Sequence, residues 1–182
     1  KTKDFYEILI SKVFIKPDVE QFWLEILNEQ TLPFCNMWKS VHNFWKSPDC
    51  VQLDFKLMHN RIFTNVKLKR IGLMDTNICD SCQSDIEDLL HLFLDCQMLV
   101  SFHDYINQLL VKLLERCETD VIVTQGYRKL ILLGMSGKFK SVNVVFVNYF
   151  LSIVRLCIMK KRQIVKRSTL NFNLITFFKY TM

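Results

Sequence analysis

Three cysteines and a histidine fall within eighteen positions of this chain, Cys79, Cys82, His91 and Cys96, spaced C-x2-C-x8-H-x4-C. No other feature limits the fold as much. Two residues between cysteines let the backbone wrap until both sulfurs face one point, and a second pair of donors must fold back over them. Three readings compete for the stretch. A redox C-x-x-C pair needs a βαβ context, and none is visible here. Chance clustering in a cysteine-containing core is the second. The third is a closed tetrahedral centre of three thiolates and one imidazole. The order and spacing of the four donors favour it, with structural zinc as the metal.

Ser84-Asp85-Ile86-Glu87 has the capping-box pattern, which predicts a helix starting at Ser84 with Glu87 at its third position. His91 then lies about two turns in and Cys96 at or beyond the end. Glu87 stands four residues before His91, on the same helical face. It is expected either to accept the free ring N–H of His91 or to serve only as a solvent-facing cap. His42, His59 and His103 have no comparable setting and read as surface or core residues. Cys35, Cys50, Cys117 and Cys157 follow no spacing logic and read as small buried apolar groups.

The rest of the chain predicts an all-α fold: an irregular helical bundle with a zinc-knuckle-like Cys-Cys-His-Cys insertion and room for one short strand pair. Only 4 Gly and 3 Pro occur in 182 residues, too few for a turn-rich sandwich or barrel. Amphipathic spacing predicts helices over Asp4–Phe14 and Asp18–Asn28, with Asp18 as N-cap, and another from about Val51 to Phe63. Thr64 or Asn65 caps a short helix that Gly72 stops. A longer helix runs from Met98 to Cys117, with Met98, Phe102, Tyr105, Leu109 and Leu113 as its apolar stripe. The segment KLILLGM reads as either strand or helix. Val142–Lys161 is the last strong helix; Asn143, Asn148, Ser152 and Arg155 interrupt its apolar run, which falls short of the ~20 residues of a membrane span. A buried core helix is expected there, and no membrane partner. Three regions are expected within one folded unit: N-terminal helices over 1–50, a zinc-binding core over 51–120, and a basic helix and tail over 121–182.

Charge is distributed unevenly. All 18 acidic side chains precede Val121, whereas 11 of the 24 Lys and Arg lie at or after it. A mixed region followed by a purely cationic one points to a polyanion such as RNA, DNA or an acidic membrane, or to a solubilising tail. Arg61, Lys67, Lys69 and Arg70 form one candidate phosphate-binding cluster; Lys160, Lys161, Arg162, Lys166 and Arg167 form a second. An ordinary solvated surface is the alternative for each. Phe172, Phe177, Phe178 and Tyr180 are available to stack on bases or to pack a core. The first residue is Lys1 and no charged-then-apolar signal segment follows it, so a fragment of an intracellular protein is expected, in nucleus or cytoplasm.

The run DFKLMHNRIFTNVKLKRIGLMDTNICDSC, then EDLLHLF and Cys96, resembles the C-terminal zinc-binding region of LINE-type, non-LTR retrotransposon reverse transcriptases. The family pattern falls on Phe55, Lys56, His59, Thr64, Asn65, Leu68 and Gly72. It continues through Cys79, Cys82, Glu87, His91, Leu92, Phe93 and Cys96, and Trp38 resembles the tryptophan that often precedes it. Asp88 stands where the family usually has Thr, and His103 where an aromatic is common. The clear match spans residues 51–103. The resemblance implies a parent with polymerase and endonuclease parts, and the rest of that protein as a partner. Polymerase chemistry needs paired aspartates for two metal ions, and this chain has no Asp-Asp pair and no Gly-rich phosphate loop. It is therefore not expected to be an enzyme by itself. The expectation is a non-catalytic zinc-stabilised module that assists binding of template RNA or target DNA. A docking module without nucleic-acid contact and an inactive retrotransposon-derived fragment are the alternatives.

Overall fold

A computed structural model describes residues 18–42, 45–116, 126–136, 142–167 and 173–182. The chain divides into two compact units, Lys1–Phe34 and Cys35–Met182. The helix expected over Asp4–Phe14 lies outside the described residues. In the first unit, α1 spans Asp18–Leu27, with Asp18 and Glu20 in its first turn, where the helix dipole favours negative charge. Asn28 ends it in the left-handed region at φ 52°, and the Glu29 N–H returns to the Leu24 carbonyl at 3.0 Å.

The second unit is all-α. Its helices are α2 (Phe34–Val41, starting at the boundary), α3 (Pro48–Met58), α4 (Asn65–Arg70), α5 (Val100–Arg116), α6 (Tyr127–Leu133), α7 (Val142–Arg167) and α8 (Leu174–Thr181). A π-helical turn, His91–Asp95, and a 3-10 turn, Gln97–Leu99, precede α5. No strand occurs among the described residues; the room left for a strand pair is taken by one isolated antiparallel bridge, Ile78 to Ile86.

Helix α3 starts earlier and stops sooner than its apolar spacing suggests. Ser47 caps it by accepting from the Cys50 N–H, and Pro48 occupies the first turn, where a missing N–H costs nothing. Asn60, at φ 50°, closes it: its N–H reaches Leu57 O at 2.8 Å and that of Arg61 reaches Lys56 O at 2.6 Å. Leu53 and Leu57 point inward as expected, while Ile62 is buried from the extended segment that follows.

Helix α7 is the axis of the unit and packs against α3, α6, α8 and the π turn. From Asn143 to Lys166 it is long and apolar enough, by length and composition, to cross a bilayer. That is longer than the sequence reading allowed. Yet Val147, Leu151, Val154 and Cys157 are buried against its neighbours, and its polar residues find partners inside the protein. Asp54 of α3 accepts from Arg155 Nε at 2.8 Å, Ser152 Oγ at 2.6 Å and Lys46 Nζ at 2.6 Å. Arg155 also donates to Ile131 O, and Lys46 to Ser40 O. One buried carboxylate thus ties together α3, α6, α7 and the turn before α3.

Helix α6 resolves the KLILLGM segment. Leu130, Ile131, Leu132 and Leu133 are all buried, so burial on every side erases the periodicity that separates helix from strand. Gly134 ends the helix at φ 78°, and a Cβ there would lie 2.4 Å from Asn148 Oδ1. That oxygen accepts from the Met135 N–H at 2.7 Å while Asn148 Nδ2 donates to Met135 O at 3.0 Å. Gly134→Ala is expected to cost about 2–4 kcal/mol, from left-handed strain plus two disrupted buried hydrogen bonds. A denaturant midpoint unchanged from wild type would refute this.

On α5 the apolar stripe is shifted. Leu99, Phe102, Ile106, Leu110 and Leu114 form the buried face. Of the expected stripe, only Phe102 belongs to it; Met98 is exposed, and Tyr105, Leu109 and Leu113 are half-buried on the adjacent face. This helix has two apolar faces one step apart, and spacing alone does not say which meets the core. Phe178 of α8 packs edge-on against Phe102 and Phe150, so it belongs to the core. Phe177 is half-buried, Tyr180 is exposed, and Phe172 lies outside the described residues. Cys50 and Cys157 are buried as expected, Cys35 is exposed, and Cys117 lies outside the described residues.

Candidate metal centre

The peptide from Asn77 to Glu87 folds into a tight antiparallel loop. Cys79 N–H donates to Asp85 O at 2.8 Å, Glu87 N–H to Asn77 O at 2.9 Å, and Gln83 N–H closes the tip on Cys79 O at 2.9 Å. Gln83 accepts the left-handed conformation, φ 57°, that the tip requires. This pairing holds residues 85–87 extended, so the helix expected from Ser84 does not form. Ser84 instead donates to its neighbour Asp85 and accepts from Gln97 Nε2. The true start is Asp88, whose carboxylate accepts the His91 N–H at 2.8 Å. Asp88, one of the two departures from the family pattern, is therefore the cap of the histidine's own turn.

That turn is wide. The Cys96 N–H bonds to His91 O at 3.1 Å, five residues back. On an α-helix, positions five apart point about 140° away from each other. The π turn removes that divergence and lets His91 and Cys96 serve one point. All four candidate donor atoms, the sulfurs of Cys79, Cys82 and Cys96 and a ring nitrogen of His91, lie within 4.8 Å of one another. Cys79 Sγ is 4.0 Å from Cys96 Sγ, and Cys82 Sγ is 3.4 Å from His91 Nε2. Zinc bonds of about 2.3 Å to sulfur and 2.0 Å to nitrogen give tetrahedral edges of about 3.5–3.8 Å, so the donors fit the ion.

The surroundings favour thiolates. The Cys79 thiol is pulled down to about 4, first by its contact with Cys96 and then, against burial, by the backbone N–H groups of Cys82 and Ser81. Burial pushes Cys82 up, but the Ser84 hydroxyl and the N–H groups of Ser84 and Asp85 outweigh it and hold it below its usual value. Cys96 is pushed up by the same Cys79 contact, so without an ion these two sulfurs share a proton. Burial pulls His91 down, but Cys79 and Cys82 outweigh it and raise it. A divalent cation can replace the shared proton, and four donors leave it no open position for a substrate.

Glu87 fills neither role expected of it. Buried beneath the loop, it accepts the Asn65 N–H at 3.0 Å, capping α4, and pairs with Arg162 of α7. Asn65 is the hub of this contact. Its side-chain nitrogen donates to Ile78 O at 2.7 Å and Asp80 Oδ2 at 3.0 Å, and its oxygen accepts from Arg162 and from Lys166 at 2.7 Å. Lys166 also pairs with Asp80 at 3.2 Å. Sequence reasoning missed this latch because its members lie about a hundred residues apart.

The cationic candidates separate into two groups. Lys161, Arg162 and Lys166 are engaged internally, Lys161 by donating to Met98 O at 2.8 Å. Lys67 is too: it donates to Asn60 at 2.6 and 2.7 Å and so holds the end of α3. Arg61, Lys69, Arg70 and Lys160 make no ion pair or side-chain hydrogen bond among the described residues, and the side chain of Arg167 lies outside them. The His59 ring lies tilted against Phe55 at 4.3 Å and Trp38 at 4.8 Å, and His103 meets the Tyr127 hydroxyl at 2.7 Å; neither belongs to the donor cluster.

An all-α unit carrying a Cys3His donor cluster is built to be stapled by a metal ion. Residues 18–102 match the family described as zinc-binding in reverse transcriptase. That stretch, a little under half of the chain, is thus similar to the zinc-binding region of reverse transcriptases. No curated protein and no solved structure matches the chain.

Proposed function

We propose that the chain is a non-catalytic, zinc-stabilised module of a LINE-type retrotransposon reverse transcriptase. It works inside the cell, in nucleus or cytoplasm, and helps the polymerase protein hold template RNA or target DNA. The observation that carries the reading is the closed donor set latched to α7, in a chain with no acid from Val121 onward. Zinc cross-links a loop with almost no apolar core of its own, and Glu87 and Asp80 then fix the end of α7. Arg61, Lys69, Arg70 and Lys160, which make no ion pair or side-chain hydrogen bond among the described residues, are available for phosphates. The zinc-loaded chain is expected to bind RNA and DNA with an affinity that falls with salt. Three or four phosphate contacts give a log–log slope of about −2 to −3.5. An absence of binding at low salt, or binding indifferent to salt, refutes the reading.

A specific feature supports a second reading, docking onto the polymerase domain. An apolar groove of about 590 Å³ opens between α5, α7 and α8, lined by Tyr105, Leu109, Leu113, Phe146 and Phe178. Phe146 is 43% exposed there, as an interface residue would be before its partner is added. A chain that binds no nucleic acid but associates with the polymerase domain favours this role.

A further inference from the structure

A second groove, of about 300 Å³, runs between α3, the extended segment Arg61–Phe63 and α7. Its floor includes the buried Leu53 and Ile62. Its walls carry Lys56, Arg61 and Lys160, none of which has an ion pair or side-chain hydrogen bond among the described residues. One carboxylate, Asp49, faces these three cations. Phe63 stands at the edge, 60% exposed, although apolar core lies directly beside it. Arg162 also lines the groove, and its inner end is held by Glu87, so the wall is anchored to the metal loop.

We propose that this groove binds single-stranded nucleic acid, with Lys56, Arg61 and Lys160 on successive phosphates and Phe63 stacked on a base. The proposal rests on the nucleic-acid reading above and gives it a location. Uncompensated cations call for a polyanion, and an aromatic face held in water offers every base the same stacking surface. The concave shape excludes duplex readout, which needs a protruding helix or ribbon to enter the major groove. A splayed strand, by contrast, lays its backbone in the channel and turns bases onto the ring.

The test is fluorescence anisotropy of the zinc-loaded full chain with short oligo(U), oligo(dT) and a duplex. The variants are Phe63→Ala, the pair Lys56→Gln with Lys160→Gln, and the pair Lys39→Gln with Lys112→Gln as an equal charge loss outside the groove. All alter exposed or half-buried side chains, and circular dichroism checks their folding. Phe63→Ala is expected to weaken single-strand binding about tenfold with the salt slope unchanged. The groove pair is expected to weaken it at least as much and to reduce the slope by about 1.4, while the outer pair changes affinity less than about threefold. Ribose and deoxyribose strands bind alike, because phosphate and base face are common to both. Groove variants no worse than the outer pair, a duplex bound as tightly as a single strand, or a sugar preference above about tenfold would overturn the groove. The wild-type chain would still bind in each case, leaving the general function standing. Failure of the wild-type chain to bind any of the three removes both.

Discussion

Chelating the metal, or replacing Cys79 by serine, is expected to unfold the loop from Gly72 to Glu87, to loosen the His91–Cys96 turn and to release one zinc per chain. The loop has little apolar core to hold it: Ile71, Leu73 and Ile86 are each more than half exposed, so without the metal only its own hydrogen bonds and the polar latch through Asn65, Asp80 and Glu87 remain. A structural zinc site of this type binds with about 10–16 kcal/mol at neutral pH, and where no site exists in the unfolded chain that energy is folding energy. Without the ion, only the proton shared by Cys79 and Cys96 remains among the donors, and the cross-link between the loop and the His91–Cys96 turn is lost. Hydrogen exchange is the appropriate readout. The amides of Cys79, Gln83, Glu87 and Cys96 have donor–acceptor distances of 2.8–3.1 Å and should lose protection together. Those of α7 between Val147 and Val154, buried against α3 and α6, should keep theirs. Unchanged protection at the four loop amides after chelation would show that the loop folds without metal.

Asp54→Ala is expected to destabilise the second unit by about 3–5 kcal/mol, because it leaves two buried cations without their anion. Lys46 and Arg155 are each almost fully buried around that carboxylate. Burial by itself would raise the Asp54 carboxyl, but Arg155 and then Lys46 outweigh it and hold it below the usual carboxylate range. The sign of the pH dependence follows. A folded-state value below the unfolded one, about 3.9, means the charged form stabilises the fold fully at higher pH. That contribution disappears as the pH falls through the folded-state value. The gap in denaturant midpoint between wild type and Asp54→Asn should therefore be largest near neutrality and narrow below about pH 4. A gap that widens in acid would mean that the carboxylate is not held in its charged form.

The donor set was legible because its constraint is local: spacing alone commits Cys79 and Cys82 to one point. The caps of α4 and the stop at Gly72 were legible for the same reason, since Thr64 and a left-handed glycine act within a few residues. Ser84 misled because the capping-box pattern competes with a cross-strand pairing, Ile78 with Ile86, that depends on the loop being closed. Glu87 misled because a glutamate on the correct face of a hypothetical helix proved to be the cap of a different one, α4, twenty-two residues upstream. The cationic row of α7 misled in another way. Charge can be counted from a sequence, but Lys161, Arg162 and Lys166 meet their partners only after the chain returns on itself.

The wide turn between His91 and Cys96 makes the intervening peptide a ruler. What the centre measures there is the number of residues, not their identity. Phe93 answers to the hydrophobic interior and Asp95 to its surface pair with Arg128, while neither has any claim on the ion. Side-chain changes at these places should drift freely as far as the metal is concerned, whereas one residue gained or lost would swing the last sulfur out of reach.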